Sequence, residues 1–222
     1  MTFSLIALDA EGSRLGVACA TGGPALGGFV PHLIPGVGAA ITQGFSTHVL
    51  AAERGLARLA GGEDVEEVVA SLRQADHGAA WRQIALMDGQ GRVAGWTGER
   101  NVPAMAMALH PGLVVAGNML AGDRVVPAMV ARFYAARQHG EPLAESLIAA
   151  LVAGQAAGGD ARGVFSAALK VRAPGGVPYD LRIDDDADAV AALVRLHHRI
   201  RDDREFQAFL ARLPDDADPH RH

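Results

Sequence analysis

The feature of this sequence that most constrains its fold is a series of short apolar segments joined in pairs by tight turns. Residues 2–9 and 15–21 have the length and composition of strands and flank the turn sequence AEGSR. Residues 81–98 contain two further strand-like segments around GQG, and residues 164–173 and 177–184 flank PGG. Strands joined by such short turns run antiparallel, so these pairs predict antiparallel sheets rather than alternating β-α units.

Helical segments separate the groups of strands. Apolar residues recur with helical spacing in segments 47–60, 63–76, 123–139, 142–157 and 186–211. Two more strands are predicted at 37–43 and 112–118, and a loop rich in glycine and proline at 22–36. This order predicts an α+β fold, a four-layer αββα sandwich of two antiparallel sheets flanked by helices. We expect a single domain over residues 1–213 and a polar C-terminal tail over 214–222.

The composition excludes several classes of function. The 222-residue chain has a net charge of −5 and a single lysine, Lys170, so it lacks the basic stripe of a nucleic-acid binder. Its one cysteine, Cys19, can form no internal disulfide, and we expect it to be a small buried residue within a strand. We expect a small-molecule or peptide-like substrate and no nucleic-acid partner, and the sequence leaves open whether the protein forms a homo-oligomer.

Neither a signal peptide nor a membrane span is predicted. The first twelve residues lack a basic region and carry Asp9 and Glu11 where an apolar segment would continue. The most apolar long segment, 102–122, is interrupted by two prolines, a histidine and an asparagine. We therefore expect a cytoplasmic protein with no membrane partner.

The second residue, Thr2, is the first candidate for chemistry. If Met1 is removed, Thr2 begins the chain with a hydroxyl next to a free α-amine. A hydroxyl is a weak nucleophile until a base takes its proton, and an α-amine with a pKa of about 7.7–8.0 is suited to that task near neutral pH. The alternative is that Thr2 is an ordinary strand residue, since threonine is common in strands.

The N-terminal segment TFSLIALDAEGSRLGVACATGG resembles the start of the mature β-subunit in the threonine asparaginase/isoaspartyl peptidase branch of the N-terminal-nucleophile (Ntn) hydrolases. That resemblance implies that Thr2 is the nucleophile and that a second threonine, Thr21 here, lies beside it. The match needs one extra residue in the turn. The arginine and aspartate that anchor substrate in that branch have no counterpart in PALGGFVPHLIPG, so its isoaspartyl specificity does not carry over.

Over nearly its whole length the chain is similar to the bacterial domain-of-unknown-function 1028 family. The segments that carry this similarity are MTFSLIALD, PGVGAAITQ, AGNMLAG, AGQAAGGDARG and VPYDLRIDDD. That family is classed with the Ntn hydrolases, which implies the αββα sandwich. Fusion of some relatives to a peptidoglycan-binding module implies chemistry on the cell wall or on amino-acid conjugates.

Asn118 ends the predicted strand in VVAGNMLAG. An amide at the rim of a sheet can donate a hydrogen bond to an oxyanion that develops during acyl transfer. The alternative is that Asn118 caps or turns the chain before the following helix.

Four further residues are candidates for substrate binding. Asp160 and Arg162 lie on the loop after Gly158-Gly159, where they can anchor a substrate or pair with each other as a structural ion pair. Ser166 begins the next strand, and Gln43 ends the third predicted strand, so both can line a cleft between sheets.

No cofactor or metal ion is predicted. The histidines lack metal-ligand spacing, and the acidic run at 184–188 lacks the glycine and glutamate of a calcium loop. The lysine that the proteasome branch uses about thirty residues after its threonine is absent, because that region holds Ile34, so proteasome-like chemistry is disfavoured.

Two functional hypotheses follow. In the first, the protein is an amidohydrolase with Thr2 as nucleophile, Thr21 supporting its amine, and Asn118 holding the oxyanion. In the second, it is a non-catalytic member of the same fold that binds small molecules or serves in assembly. Retention of Met1 in the native host would remove the proposed base and would favour the second.

Overall fold

The structure is a computed structural model, and it describes residues 2–9 and 11–222. Its strands are β1 (Thr2–Leu8), β2 (Leu15–Thr21), β3 (Pro31–Ile34), β4 (Gly38–Gly44), β5 (Arg82–Asp88), β6 (Val93–Thr97), β7 (Ala106–His110), β8 (Leu113–Asn118), β9 (Ser166–Arg172) and β10 (Tyr179–Ile183). Its helices are α1 (Val49–Ala60), α2 (Val65–Ala75), α3 (Val125–Gln138), α4 (Leu143–Ala156), α5 (Ala189–Asp202) and α6 (Arg204–Leu210). Short 3-10 helices lie at Leu26–Gly28 and Ala79–Trp81.

The strands form two antiparallel sheets. One has six strands in the order β10-β9-β2-β1-β8-β7, and the other has four in the order β3-β4-β5-β6. The N-terminal strand β1 lies in the middle of the larger sheet, between β2 and β8. Its start is therefore held by hydrogen-bonded neighbours on both sides.

The helices cover the outer faces of both sheets. Phe3 and Leu5 of β1 pack into a core with residues of α3, α4 and α5 on one side of the six-stranded sheet. Ile6 points to the opposite face of β1 and packs into a second core, which lies between the two sheets. A third core lies between the four-stranded sheet and helices α1 and α2. The predicted four-layer αββα arrangement of an α+β fold is thus confirmed.

The core between the sheets is built largely from small side chains. Ala39 and Ala85 of the four-stranded sheet face Ala116 and Ala168 of the six-stranded sheet across this layer. Cys19 is fully buried among them in β2, as predicted. Burial raises the pKa of its thiol far above the ordinary value, so the thiol stays protonated and unreactive.

Two strands were not predicted, and both lie at the edge of a sheet. β3 falls within 22–36, which was predicted as loop, and begins at Pro31, a position that only an edge strand tolerates well. β7 is rich in alanine and methionine and is half-buried rather than alternating, so it lacks the usual composition of a strand.

The predicted C-terminal helix over 186–211 is wrong in detail, because two helices occupy it. Asp203 has an extended backbone and ends α5. Its carboxylate accepts a hydrogen bond from the Phe206 N–H at 2.9 Å, so it also caps the start of α6. None of the helices in residues 2–9 and 11–222 has the length and apolar run needed to cross a lipid bilayer.

Candidate active site

A row of four polar side chains crosses one end of the six-stranded sheet. Thr2 lies opposite Thr21 of β2 and Asn118 of β8, and Thr21 lies opposite Ser166 of β9. Directly opposite residues place their side chains on the same face of a sheet. Since the next residue, Phe3, faces the helices, this face is the one that looks toward the four-stranded sheet. We call Asn118, Thr2, Thr21 and Ser166 the polar row.

Thr2 occupies the centre of the polar row. Its side-chain oxygen Oγ1 donates a hydrogen bond to Oγ1 of Thr21 at 3.2 Å. The residue is only 6% exposed, and Thr21 is 7% exposed. The two hydroxyls are therefore adjacent, as the resemblance to the Ntn hydrolases implies. Met1 lies outside the described residues.

A second set of polar side chains lies next to the polar row, with Gln43, Gln83 and Thr97 on the four-stranded sheet and Ser4 on β1. The Gln43 side chain accepts a hydrogen bond from Ser4 Oγ at 2.6 Å and donates to the Gln83 side chain at 2.6 Å and to the Thr2 carbonyl at 3.3 Å. Gln83 in turn donates to Thr97 Oγ1 at 2.9 Å. We call Ser4, Gln43, Gln83 and Thr97 the glutamine network. It fixes the backbone of Thr2 from the facing sheet.

Asn118 differs from every other member of these two sets. The residue is fully buried, yet neither its amide nitrogen nor its amide oxygen has a hydrogen-bond partner among the described residues. A buried polar group without a partner costs about 1–3 kcal/mol. The next residue, Met119, turns the chain with a φ of 53°, and α3 begins only at Val125. Asn118 therefore caps no helix, and its amide is free to bind something else.

The turn after Thr21 is held by a buried carboxylate. Asp160 Oδ2 accepts a hydrogen bond from the Gly22 N–H at 2.5 Å, and the Asp160 side chain is fully buried. A Cβ on Gly22 would lie 2.8 Å from that oxygen, so only glycine allows this close approach. Arg162 pairs with Asp160 at 3.2 Å while its own side chain stays 48% exposed. The guanidinium is thus placed at the surface next to the polar row.

Ser166 is engaged in holding the loop that follows β2. Its hydroxyl donates to the Gly23 carbonyl at 2.6 Å and accepts from the Leu26 N–H at 3.3 Å. Both contacts fasten the 22–28 segment to the start of β9. Ser166 therefore fixes the position of this loop at the end of the polar row.

A comparison with protein families places the chain in one that is defined by sequence. The profile of the family of unknown function DUF1028 matches residues 2–193. The chain belongs to this family. A crystal structure of a DUF1028 protein, SPO2555 from Silicibacter pomeroyi, is 31% identical, with 99% of this chain and 98% of that chain aligned and a TM-score of 0.91.

A more distant structural similarity lies outside the DUF1028 family. Anbu (ancestral beta-subunit) from Yersinia bercovieri aligns over 96% of this chain and 98% of its own, with 11% identity and a TM-score of 0.41. A comparison with curated protein sequences found no match to the chain.

In this DUF1028 chain the structure brings together most of the residues that the sequence singled out. Thr2, Thr21, Asn118 and Ser166 share the polar row. Gln43 lies in the glutamine network that faces it. Asp160 and Arg162 lie at its edge, where they form the structural ion pair that was one of the two predicted alternatives.

Three polar residues of the site were missed. Ser4, Gln83 and Thr97 all lie within segments that were predicted as strands, and each occupies an inward-facing position. The available signal was a polar residue at a position where strand alternation calls for an apolar one. Without knowledge of which strands face each other, that signal does not say what these residues contact.

Other candidates for chemistry lie away from the polar row. Lys170 pairs with Val17, four residues along β2 from Thr21, and its ammonium lies 3.2 Å from the Asp180 carboxylate. Four strand residues span about 13 Å, so the lysine is not beside Thr2. Across residues 2–9 and 11–222, no group of three or more histidine, cysteine, aspartate or glutamate side chains has the geometry to hold a metal ion.

Proposed function

We propose that this DUF1028 protein is an Ntn-type amidohydrolase whose nucleophile is Thr2 after removal of Met1. The observation that carries the proposal is the position of Thr2 in the middle of the polar row. Its hydroxyl lies beside the Thr21 hydroxyl on one side, and an unpartnered buried amide, Asn118, occupies the opposite register position on the other. The substrate is an amide, such as an amino-acid conjugate or a cell-wall peptide.

The proposed reaction needs no group besides the chain itself and water. The Thr2 α-amine takes the hydroxyl proton as Oγ1 attacks the acyl carbon, and the carbonyl oxygen becomes an oxyanion. The Asn118 amide N–H donates to that oxyanion. The amine then passes its proton to the departing amine of the substrate, leaving an ester on Thr2. Water hydrolyses the ester and releases the acid.

The remaining residues of the site position this chemistry. The glutamine network holds the Thr2 carbonyl, and Asp160 holds the turn after Thr21 through the Gly22 N–H. Arg162, half-exposed at the rim, is placed to pair with a carboxylate of the substrate. These contacts support a rigid site on strand ends rather than on a mobile loop.

The alternative is that the protein binds a small molecule or serves in assembly without catalysis. One observation favours it: Thr2 is 6% exposed and already hydrogen-bonded. The two functions differ in what they require of the first peptide bond, because only catalysis requires a free α-amine on Thr2.

The intact mass of the protein from its native host tests this requirement. Catalysis predicts loss of one methionine, and complete retention of Met1 would contradict it.

The second measurement compares wild type, Thr2→Ala and Thr2→Ser on a panel of amides and amino-acid conjugates. Thr2→Ala should lose at least about a thousandfold in kcat/KM, while Thr2→Ser keeps a measurable rate. Thr47→Ala, an exposed threonine before α1, is the matched control and should behave as wild type. Equal activity of Thr2→Ala and wild type would exclude Thr2 as the nucleophile.

A further inference from the structure

A cavity of about 430 Å³ lies at the end of the six-stranded sheet opposite to Thr2. Arg14, just before β2, lines one part of it, and Val171 and Tyr179 of the β9–β10 pair line another. The seven residues of β2 separate this end of the sheet from Thr21, a distance of about 20 Å. The cavity is therefore distinct from the candidate active site, and its size suits a small-molecule ligand.

A chain of three polar side chains forms one wall of the cavity. The Tyr179 hydroxyl lies 2.7 Å from His197 Nδ1, and His197 Nε2 lies 3.4 Å from a Glu145 carboxylate oxygen. Because a carboxylate only accepts hydrogen bonds, this order assigns the ring proton to Nε2 and makes Tyr179 the donor to Nδ1. His197 is only 4% exposed, yet Nε2 has no well-aligned hydrogen-bond partner among the described residues.

The charges on this wall do not cancel. Burial lowers the pKa of His197, so the ring is neutral at pH 7 and supplies no positive charge to offset Glu145. Burial also raises the pKa of Tyr179 to about 12, so the phenol stays neutral. Arg201, which also lines the cavity, attracts the Glu145 carboxylate, but its close ion pair is with its neighbour Asp202 at 2.8 Å.

A positive charge stands apart from Glu145 on the same cavity. The Arg14 guanidinium forms no ion pair within residues 2–9 and 11–222, and in particular none with Glu145. The remaining lining is largely aliphatic and includes Leu143, Val171 and Val177. The cavity thus presents one cation and one anion that form no ion pair with each other, together with an apolar surface.

We propose that this cavity binds a free α-amino acid with an aliphatic side chain. The ligand carboxylate pairs with Arg14, the ammonium group pairs with Glu145, and the side chain packs on the aliphatic lining. A zwitterion is the class of small molecule that meets both charges at once, whereas a simple acid or a simple amine meets only one of them.

Isothermal titration calorimetry of the full chain with L-leucine tests the proposal. We expect one saturable site for L-leucine. Binding should be at least about tenfold weaker for 4-methylpentanoate, which lacks the ammonium group, for 3-methylbutylamine, which lacks the carboxylate, and for glycine, which lacks the side chain. Absence of binding up to about 10 mM L-leucine, or equal binding of either singly charged analogue, would overturn the proposal.

Variants locate the ligand. Arg14→Gln and Glu145→Gln should each weaken L-leucine binding by at least about tenfold, and Val177→Trp, in a loop at the cavity wall, should abolish it by filling the space. Arg195→Gln, an exposed arginine elsewhere on α5, is the control and should bind as wild type. Circular dichroism checks that each variant is folded. Unchanged binding in Arg14→Gln and Glu145→Gln would refute the site. Thr2→Ala should bind L-leucine normally, so this result is independent of the proposed catalysis.

Discussion

The two ends of the six-stranded sheet both bury polar side chains, but they do so in different ways. At the Thr2 end, the glutamine network saturates its own hydrogen bonds and leaves a single amide, Asn118, entirely unpartnered. At the opposite end, Tyr179, His197 and Glu145 form a chain that ends in a carboxylate beside a cavity. The first arrangement is a frame around the residue proposed as nucleophile, and the second is a wall of the proposed ligand pocket.

This difference shows how to separate polar residues that support the fold from those available for chemistry. A buried group whose hydrogen bonds are complete contributes to stability and has nothing left to offer a ligand. A buried group with unused hydrogen-bonding capacity costs stability until a ligand or reacting atom meets it. Gln83 is of the first kind and Asn118 of the second, although the two residues lie near each other at the same end of the molecule.

The sharpest test of this contrast is Asn118→Ala. Loss of an oxyanion donor should lower kcat by about a hundredfold to a thousandfold, the equivalent of about 2.7–4 kcal/mol in the barrier. The free energy of unfolding should stay the same or rise, because an unsatisfied buried amide is removed. The control is Asn101→Ala, since the side-chain oxygen Oδ1 of Asn101 accepts a hydrogen bond from the Phe45 N–H at 2.9 Å and its loss should cost stability. A strongly destabilised Asn118→Ala protein would mean that the amide is structural.

Gln83→Ala tests the other side of the contrast. Its amide group donates to Thr97 Oγ1 and to the Ala106 and Gly117 carbonyls, at 2.9 to 3.2 Å, so the substitution leaves several buried groups unsatisfied. We expect the free energy of unfolding to fall by about 3 kcal/mol in urea titrations. Gln90→Ala, at an exposed position after β5, should change it by less than about 0.5 kcal/mol. Equal stability of the two variants would contradict the claim that the glutamine network stabilises this end of the protein.

The Asp160–Arg162 pair offers a smaller effect that separates two roles within one ion pair. Asp160→Ala should destabilise the protein by about 2 kcal/mol, because the Gly22 and Arg162 N–H groups both lose their acceptor. Arg162→Ala should cost less than about 1 kcal/mol, since its side chain is half-exposed. If Arg162 anchors a substrate carboxylate, Arg162→Ala should also raise the KM for that substrate. Unchanged kinetics in Arg162→Ala would leave the pair a purely structural one.

The smallest expected effect is a pH dependence from the cavity end. Burial lowers the pKa of His197 in the folded protein, although Glu145 acts in the opposite direction. Between that lowered pKa and about 6.5, the unfolded chain binds the extra proton, so the free energy of unfolding falls as the pH decreases through this window. His32, whose pKa is also lowered by burial, contributes with the same sign. His197→Gln should flatten the dependence, whereas His220→Gln in the exposed tail should not. Urea titrations between about pH 7 and pH 5 measure both slopes, and identical slopes in the two variants would contradict the prediction.

Local sequence was enough to predict most strands and most helices. β1, β2, β5 and β6 were predicted from apolar runs around short turns, since a tight turn forces its flanking strands to pair. The strands β3 and β7 were missed for reasons of composition: β3 has only four residues in a stretch rich in glycine and proline, and β7 is rich in alanine and has no β-branched residue. The edge strands β6 and β10 were predicted because each follows a tight turn. The break at Asp203 was missed because the apolar spacing continues on both sides of it.

The sequence by itself determined the αββα layering and marked Thr2, Thr21, Asn118, Ser166 and Gln43 as candidates, since strand ends and turn residues are local features. Only the tertiary structure decided that four of these five share one row, because strand register between segments as distant as β1 and β9 depends on which faces the whole sheet buries. It likewise decided that Gln83 completes a network while Asn118 does not. Hydrogen-bond satisfaction depends on contacts between the two sheets, and no spacing within the chain encodes those contacts.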